Sequence, residues 1–258
     1  GMLCWALHQV DFSCSYLIGG VYADSQFPSG HFEKNNWLVL EIDESDGTIE
    51  FFKPTITLAL NCEWDHVDFY DSRESIEETF KQLFARTTSN IITPIGSELS
   101  RWAELEKGKK KSNFEINCDL AHYYDNNLAA VLAAGDALGV DLSEVNFEEF
   151  PGIARRQSIL HQGENRSIIE DYAHHPTEIH AFLSQRRLLL PAHSLQVVFQ
   201  PHRFSRTQAL AEKFAEELAQ ADDLHLLPTY AAFEKFDPSG SVENLIGYLP
   251  PRLRKRTN

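Results

Sequence analysis

Apolar residues along this chain alternate between runs and helical stripes. Residues 3–10 are apolar enough for a short helix ending near Asp11. Trp37–Asp43 and Ile56–Asn61 are near-continuous apolar runs that pass into polar clusters, a pattern that predicts strands buried on both faces. Between Asp71 and Arg86, Ile76, Phe80, Leu83 and Phe84 share one helical face, with Asp71 and Glu74 spaced as a capping box. Asn90–Ile95 predicts another strand, Glu104–Ser112 a polar loop, and Asn127–Leu138 an alanine-rich helix stopped by Gly139.

Beyond Pro151 and Gly152 the rhythm becomes regular. Strands at Ser167–Tyr172, Leu195–Gln200 and Leu224–Pro228 enclose helices at Thr177–Leu189 and Ser205–Gln220, the second with Leu210, Phe214 and Leu218 on one face. This alternation implies an α/β fold with a mostly parallel sheet under its helices. The 258 residues suffice for two domains, placed at 2–148 and 151–258, the second smaller and with an incomplete sheet.

A formal charge of −15 argues against a nucleic-acid partner, although a local arginine cluster can still hold an anion. The basic runs Lys107–Lys111 and Arg252–Arg256 read as solvated loop and tail. No apolar run approaches a membrane span and no secretory leader is apparent, so the expected location is cytoplasmic. Cys4, Cys14, Cys62 and Cys118 lack metal-type spacing and read as reduced, non-catalytic thiols.

Candidate chemistry gathers where strands end, as it does in open α/β sheets. Asn61–Asp68 packs one histidine and three carboxylates into eight residues, which suits either a Mg²⁺ site or an acidic turn around a hydrogen-bonded histidine. Glu41, in an apolar run, is a ligand or marks the strand's exposed end. Asp171–Glu178 sets two histidines before a helix that Pro176 opens, as pocket residues or as a cap with one core histidine. Phe199–Thr207 places Arg203 and Arg206 at a helix start, where they suit a carboxylate or phosphate with help from the helix N-terminus, or surface ion pairs.

Taken together, Glu41–Gly47, Asn61–Asp68, Arg155-Arg156, Asp171–Glu178 and Phe199–Thr207 resemble, in order, the central and C-terminal domains of the Mur ligase family, in particular its alanine-adding branch. The resemblance runs from residue 2 to about residue 245. It implies a truncated P-loop-type central domain followed by a smaller Rossmann-like one. The implied chemistry is ATP- and Mg²⁺-dependent joining of L-alanine to UDP-N-acetylmuramate through an acyl phosphate, in peptidoglycan precursor synthesis. It further implies Glu41 and His66 as metal ligands, Asn127 at adenine, and Arg156 or its neighbour Arg155 on the nucleotide side. Asp171 would face the nucleotide or its ribose, and His174, His202, Arg203 and Arg206 would line the pocket for amino acid and acyl phosphate.

The departures from the family pattern carry expectations too. No GxxxxGK[ST] phosphate loop occurs in the sequence, and Tyr124 stands where a second adenine-site asparagine is expected. Neither the UDP-sugar domain nor the last strands are matched, which predicts a fragment with little activity alone. Uncovered sheet edges predict a homo-oligomer or a partner supplying the missing region. A ligase that recycles murein peptides and a non-catalytic binding module are the alternative readings.

Overall fold

The computed structural model describes the chain except residues 25, 46, 65–68, 117–122 and 255–258. It divides into two compact units.

The first unit holds Gly1–Glu63, Arg73–Cys118 and Tyr124–Tyr172. Its opening helix α1 (Met2–Gln9) buries Cys4, Trp5, Ala6 and Leu7, and the chain leaves it through Asp11 in a left-handed conformation. Strands β1 (Ser15–Leu17), β2 (Gly30–His31) and β3 (Leu38–Leu40) form one sheet in the order β2-β1-β3, with β1 antiparallel to β2 and parallel to β3. A second sheet, fully parallel and ordered β4-β5-β6, comprises β4 (Ile56–Leu58), β5 (Asn90–Pro94) and β6 (Lys110–Phe114). Every residue of β5 is buried, as its central place requires. Between β4 and β5 runs α2 (Arg73–Arg86), whose expected apolar face, Ile76, Phe80, Leu83 and Phe84, is buried. Two further helices follow, α3 (Glu98–Glu104), capped by Ser97, and α4 (Tyr123–Leu138). Gly139 (φ 72°) ends α4 where the sequence placed its stop. An antiparallel hairpin of β7 (Ser158–Gln162) and β8 (Ser167–Glu170) closes the unit.

The second unit is built on Ala173–Asn258. Here α5 (Pro176–Leu189) starts with a capping box: the His175 side chain accepts from the Thr177 amide, and Glu178 reaches back. Strand β9 (Gln196–Phe199) pairs in parallel with β10 (Asp223–Leu226). Between them lie α6 (Phe204–Ala209) and α7 (Ala211–Leu218), and α8 (Val242–Tyr248) and α9 (Pro251–Arg254) follow β10. Ile179, Leu183, Phe199, Phe214, Leu218, Leu224, Leu245 and Leu249 belong to one buried cluster.

Four sequence-based expectations need correction. The strand expected at Ser167–Tyr172 within one mostly parallel sheet is β8, which pairs antiparallel with β7 in the first unit, apart from β9 and β10. The strand expected across Trp37–Asp43, buried on both faces, is the short β3 with Leu38 exposed; among the described residues it is paired on one edge only, to β1. Glu104–Ser112 is not simply a loop, because Lys110–Phe114 pairs residue for residue with β5, and that pairing overrides a polar composition. The single helix expected over Ser205–Gln220 breaks at Leu210 (φ −115°, ψ 17°), although Leu210, Phe214 and Leu218 are buried as anticipated.

Candidate active site

In the second unit, β9 and β10 deliver adjacent loops at their carboxyl ends. Pro201 lies just past the end of β9; its carbonyl accepts from the Tyr230 amide at 2.8 Å, and the Arg203 amide donates to the Tyr230 carbonyl at 2.8 Å. His202 and Tyr230 thus form a parallel bridge, with their rings 5.3 Å apart. The His174 ring, just before α5, lies 6.0 Å from that of His202. Arg203 caps α6 in a left-handed conformation (φ 71°), and its carbonyl accepts from the Thr207 hydroxyl at 2.7 Å.

Arg206 is buried, which a guanidinium tolerates only when hydrogen-bonded. It donates to His202 Nδ1 at 3.3 Å. Guanidinium nitrogens cannot accept, so Nδ1 must, and in the neutral ring the proton sits on Nε2. Burial, followed by the charges of Arg206, His174 and Arg203, pushes the His202 pKa below its ordinary value, while Glu234 opposes the shift. His202 is therefore a neutral ring offering an N–H donor. Together with Arg203 and Arg206 it forms a basic cluster whose chemistry suits an anion.

The helix N-terminus does not share that task, contrary to the sequence-based expectation. The Glu234 carboxylate accepts from the Phe204 amide at 2.5 Å, the Ser205 amide at 3.1 Å and the Ser205 hydroxyl at 2.5 Å. On another side of this turn, a Cβ at Gly240 would lie 2.0 Å from the Phe204 carbonyl oxygen, so backbone meets backbone there. Neither Glu234 nor Tyr230 stood out in the sequence. The signal available was their position just past β10, the parallel neighbour of β9.

In the first unit, Arg155 (φ 62°) and Gln157 (φ 52°) form a strained turn, fastened by the Gln157 amide to Asp171 at 2.9 Å. The Arg155 side chain reaches Glu170 at 3.7 Å, and Arg156 lies 5.4 Å over the Tyr172 ring. The structure therefore brings Arg155, Arg156 and Asp171 together at the β7–β8 hairpin. Asn127 is exposed on α4, and the Tyr124 hydroxyl donates to the Phe147 carbonyl at 2.8 Å. Glu41 is exposed just beyond β3, and with Asp43, Ser45 and Thr48 it borders an open hollow of about 230 Å³. His66 lies outside the described residues, and among the described residues no three ligand-type side chains converge. Burial pushes the thiols of Cys4 and Cys62 up to about 11 and about 12, consistent with inert cysteines.

Residues 155–246 match the family model for the Mur ligase, glutamate ligase domain. Across the chain, the UDP-N-acetylmuramate–L-alanine ligase of Lawsonia intracellularis is 31% identical over 274 residues, covering 91% of this chain and 59% of the relative. This chain is related to the Mur ligases. The corresponding ligase of Synechococcus sp. (strain CC9902) is 32% identical over 92% of the chain and 60% of the relative. Among solved structures, the UDP-N-acetylmuramate-alanine ligase of Thermotoga maritima superposes with a TM-score of 0.67 at 26% identity, covering 89% of this chain and 58% of that one. The MurF ligase of the same organism, in complex with ADP, matches at a TM-score of 0.66 and 14% identity, a likeness of fold alone. This Mur ligase relative spans about three fifths of the length of the curated proteins it matches.

Proposed function

We propose that this chain carries the amino-acid-accepting part of an ATP-dependent Mur-type ligase, acting in the cytoplasm to join L-alanine to UDP-N-acetylmuramate. The observation that supports it most is the gathering of His174, Arg203 and Arg206 around His202, whose Nδ1 accepts from Arg206, a basic cluster of a kind that suits an anion. In this reading the pocket holds the alanine carboxylate and steadies the acyl phosphate. The amine attacks the acyl carbon, the amide bond forms, and phosphate leaves with the electron pair of the broken C–O bond, taking up the proton that the nitrogen gives up. Arg155, Arg156 and Asp171 belong to the nucleotide side and Asn127 to adenine. The domain division at Pro151-Gly152 is part of the proposal, supported by a family match that begins at residue 155.

Glu41 and His66 are the proposed Mg²⁺ ligands; the ion supplies charge neutralisation during phosphoryl transfer when bound. The exposed Glu41 carboxylate has the right oxygen chemistry but lacks a described companion set. Mg²⁺ without nucleotide is therefore expected to bind on the order of millimolar or weaker, since Mg²⁺ relies on substrate phosphates and waters to complete its shell. Titration calorimetry giving micromolar affinity would overturn this ligand assignment.

The function itself is tested in a chimera that joins the amino-terminal region of the Lawsonia relative to this chain. L-alanine-dependent phosphate release with UDP-N-acetylmuramate, abolished by Arg203→Ala, is the expected result. A chimera that folds and turns over without needing L-alanine or Arg203 would sink the reading.

A further inference from the structure

Arginine is a poor choice for a helix cap. Its guanidinium has no acceptor, so it cannot satisfy the amides of the first turn. Arg203 stands at the cap of α6, makes no side-chain cap bond, and adopts a left-handed conformation disfavoured for a residue with a Cβ. The missing acceptor comes from elsewhere: Glu234 binds the amides of Phe204 and Ser205 and the Ser205 hydroxyl. Its loop is shaped for that reach. Ala232 (φ 43°) and Phe233 (φ 75°) are consecutive left-handed residues, and the Glu234 amide closes the turn on the Ala231 carbonyl at 2.9 Å. The same loop carries Tyr230, which bonds the Arg203 amide and lies against the His202 ring.

We propose that Glu234 is a positioning residue for the anion pocket: by capping α6 in place of residue 203, it fixes the backbone from which Arg203 and His202 present their side chains. The inference builds on the pocket assigned above. It explains why a guanidinium can occupy a position that ordinarily takes serine, threonine or aspartate. It also sets the charge balance, because Glu234 is the carboxylate that opposes the effect of Arg203, Arg206 and His174 on His202.

Nuclear magnetic resonance on the 258-residue chain tests this with Glu234→Gln, Glu234→Ala and, as a control, Leu188→Ala at an exposed position on α5. In Glu234→Ala, exchange of the Phe204 and Ser205 amides is expected to rise about tenfold or more relative to α7, the loss of a charged acceptor. In Glu234→Gln, which keeps the side-chain shape, the His202 pKa is expected to fall further and the Arg203 Nε–H resonance to move. Leu188→Ala should leave both probes near their wild-type values. A Glu234→Gln protein whose His202 titration and Arg203 signal match wild type would overturn the proposal, as would unchanged amide protection in Glu234→Ala. Should Glu234→Ala fail to fold, the glutamine variant decides alone. Millimolar L-alanine added to wild type separates the two readings: no shift at His202 or Arg203, alongside a moved titration in Glu234→Gln, removes the amino-acid pocket and keeps the positioning role.

Discussion

Incubated with ATP, Mg²⁺, UDP-N-acetylmuramate and L-alanine, the 258-residue polypeptide is expected to release no L-alanine-dependent phosphate. Phosphoryl transfer asks little covalent chemistry of a protein and much positioning. A phosphate loop supplies the backbone amides and the lysine that hold the transferring group, and this sequence contains no GxxxxGK[ST] run. Orientation alone is worth roughly 7–11 kcal/mol in favourable cases, so a polypeptide working without that cradle falls many orders of magnitude below a complete ligase. The cluster proposed to hold the amino acid, by contrast, lies within the second unit, on α6 and the loops beside it. The measurement is phosphate release with and without L-alanine, using Arg203→Ala to exclude a contaminating ligase. Wild-type turnover near one per second, on the order of ordinary enzyme rates, and lost in the variant, would overturn the expectation.

Replacing Phe214 by alanine is expected to cost about 3–5 kcal/mol, the loss for a fully buried aromatic ring plus the cavity it leaves. Phe214 is 0% exposed and its ring lies 5.6 Å from that of Phe199, so it ties α7 to β9. Denaturant titration, with hydrogen exchange followed over residues 173–258, measures the loss. Leu188→Ala is the control, since Leu188 is 57% exposed and surface changes usually stay within about 0.5 kcal/mol. A Phe214→Ala penalty no larger than that of the control would show that this cluster does not hold the second unit together.

Phe214 was legible in the sequence because its four-residue spacing from Leu210 and Leu218 is a local signal. The break at Leu210 was not, because the start of α6 is held by Glu234 and packed against Gly240, both thirty or more residues beyond Phe204. Strand β6 was hidden for a related reason. Lys110–Phe114 is mostly polar, and it becomes a strand by pairing with β5. At the site, His202, Arg203 and Arg206 were visible as one contiguous polar segment after a strand, and their resemblance to a known family supplied roles. Composition could not show whether the amides at that helix end are open to an anion. That depends on which group occupies the amides, and the occupant, Glu234, is remote in sequence.

The contact between Gly240 and the Phe204 carbonyl has an evolutionary corollary. Any other residue at 240 must displace either its own turn or the start of α6. Substitution there is thus blocked by geometry before charge, polarity or catalysis enters, and selection for stability and selection for pocket shape become the same filter. In a saturation library sorted only for folded protein, glycine at 240 should be retained almost without exception, at a position that packs on the turn carrying Arg203.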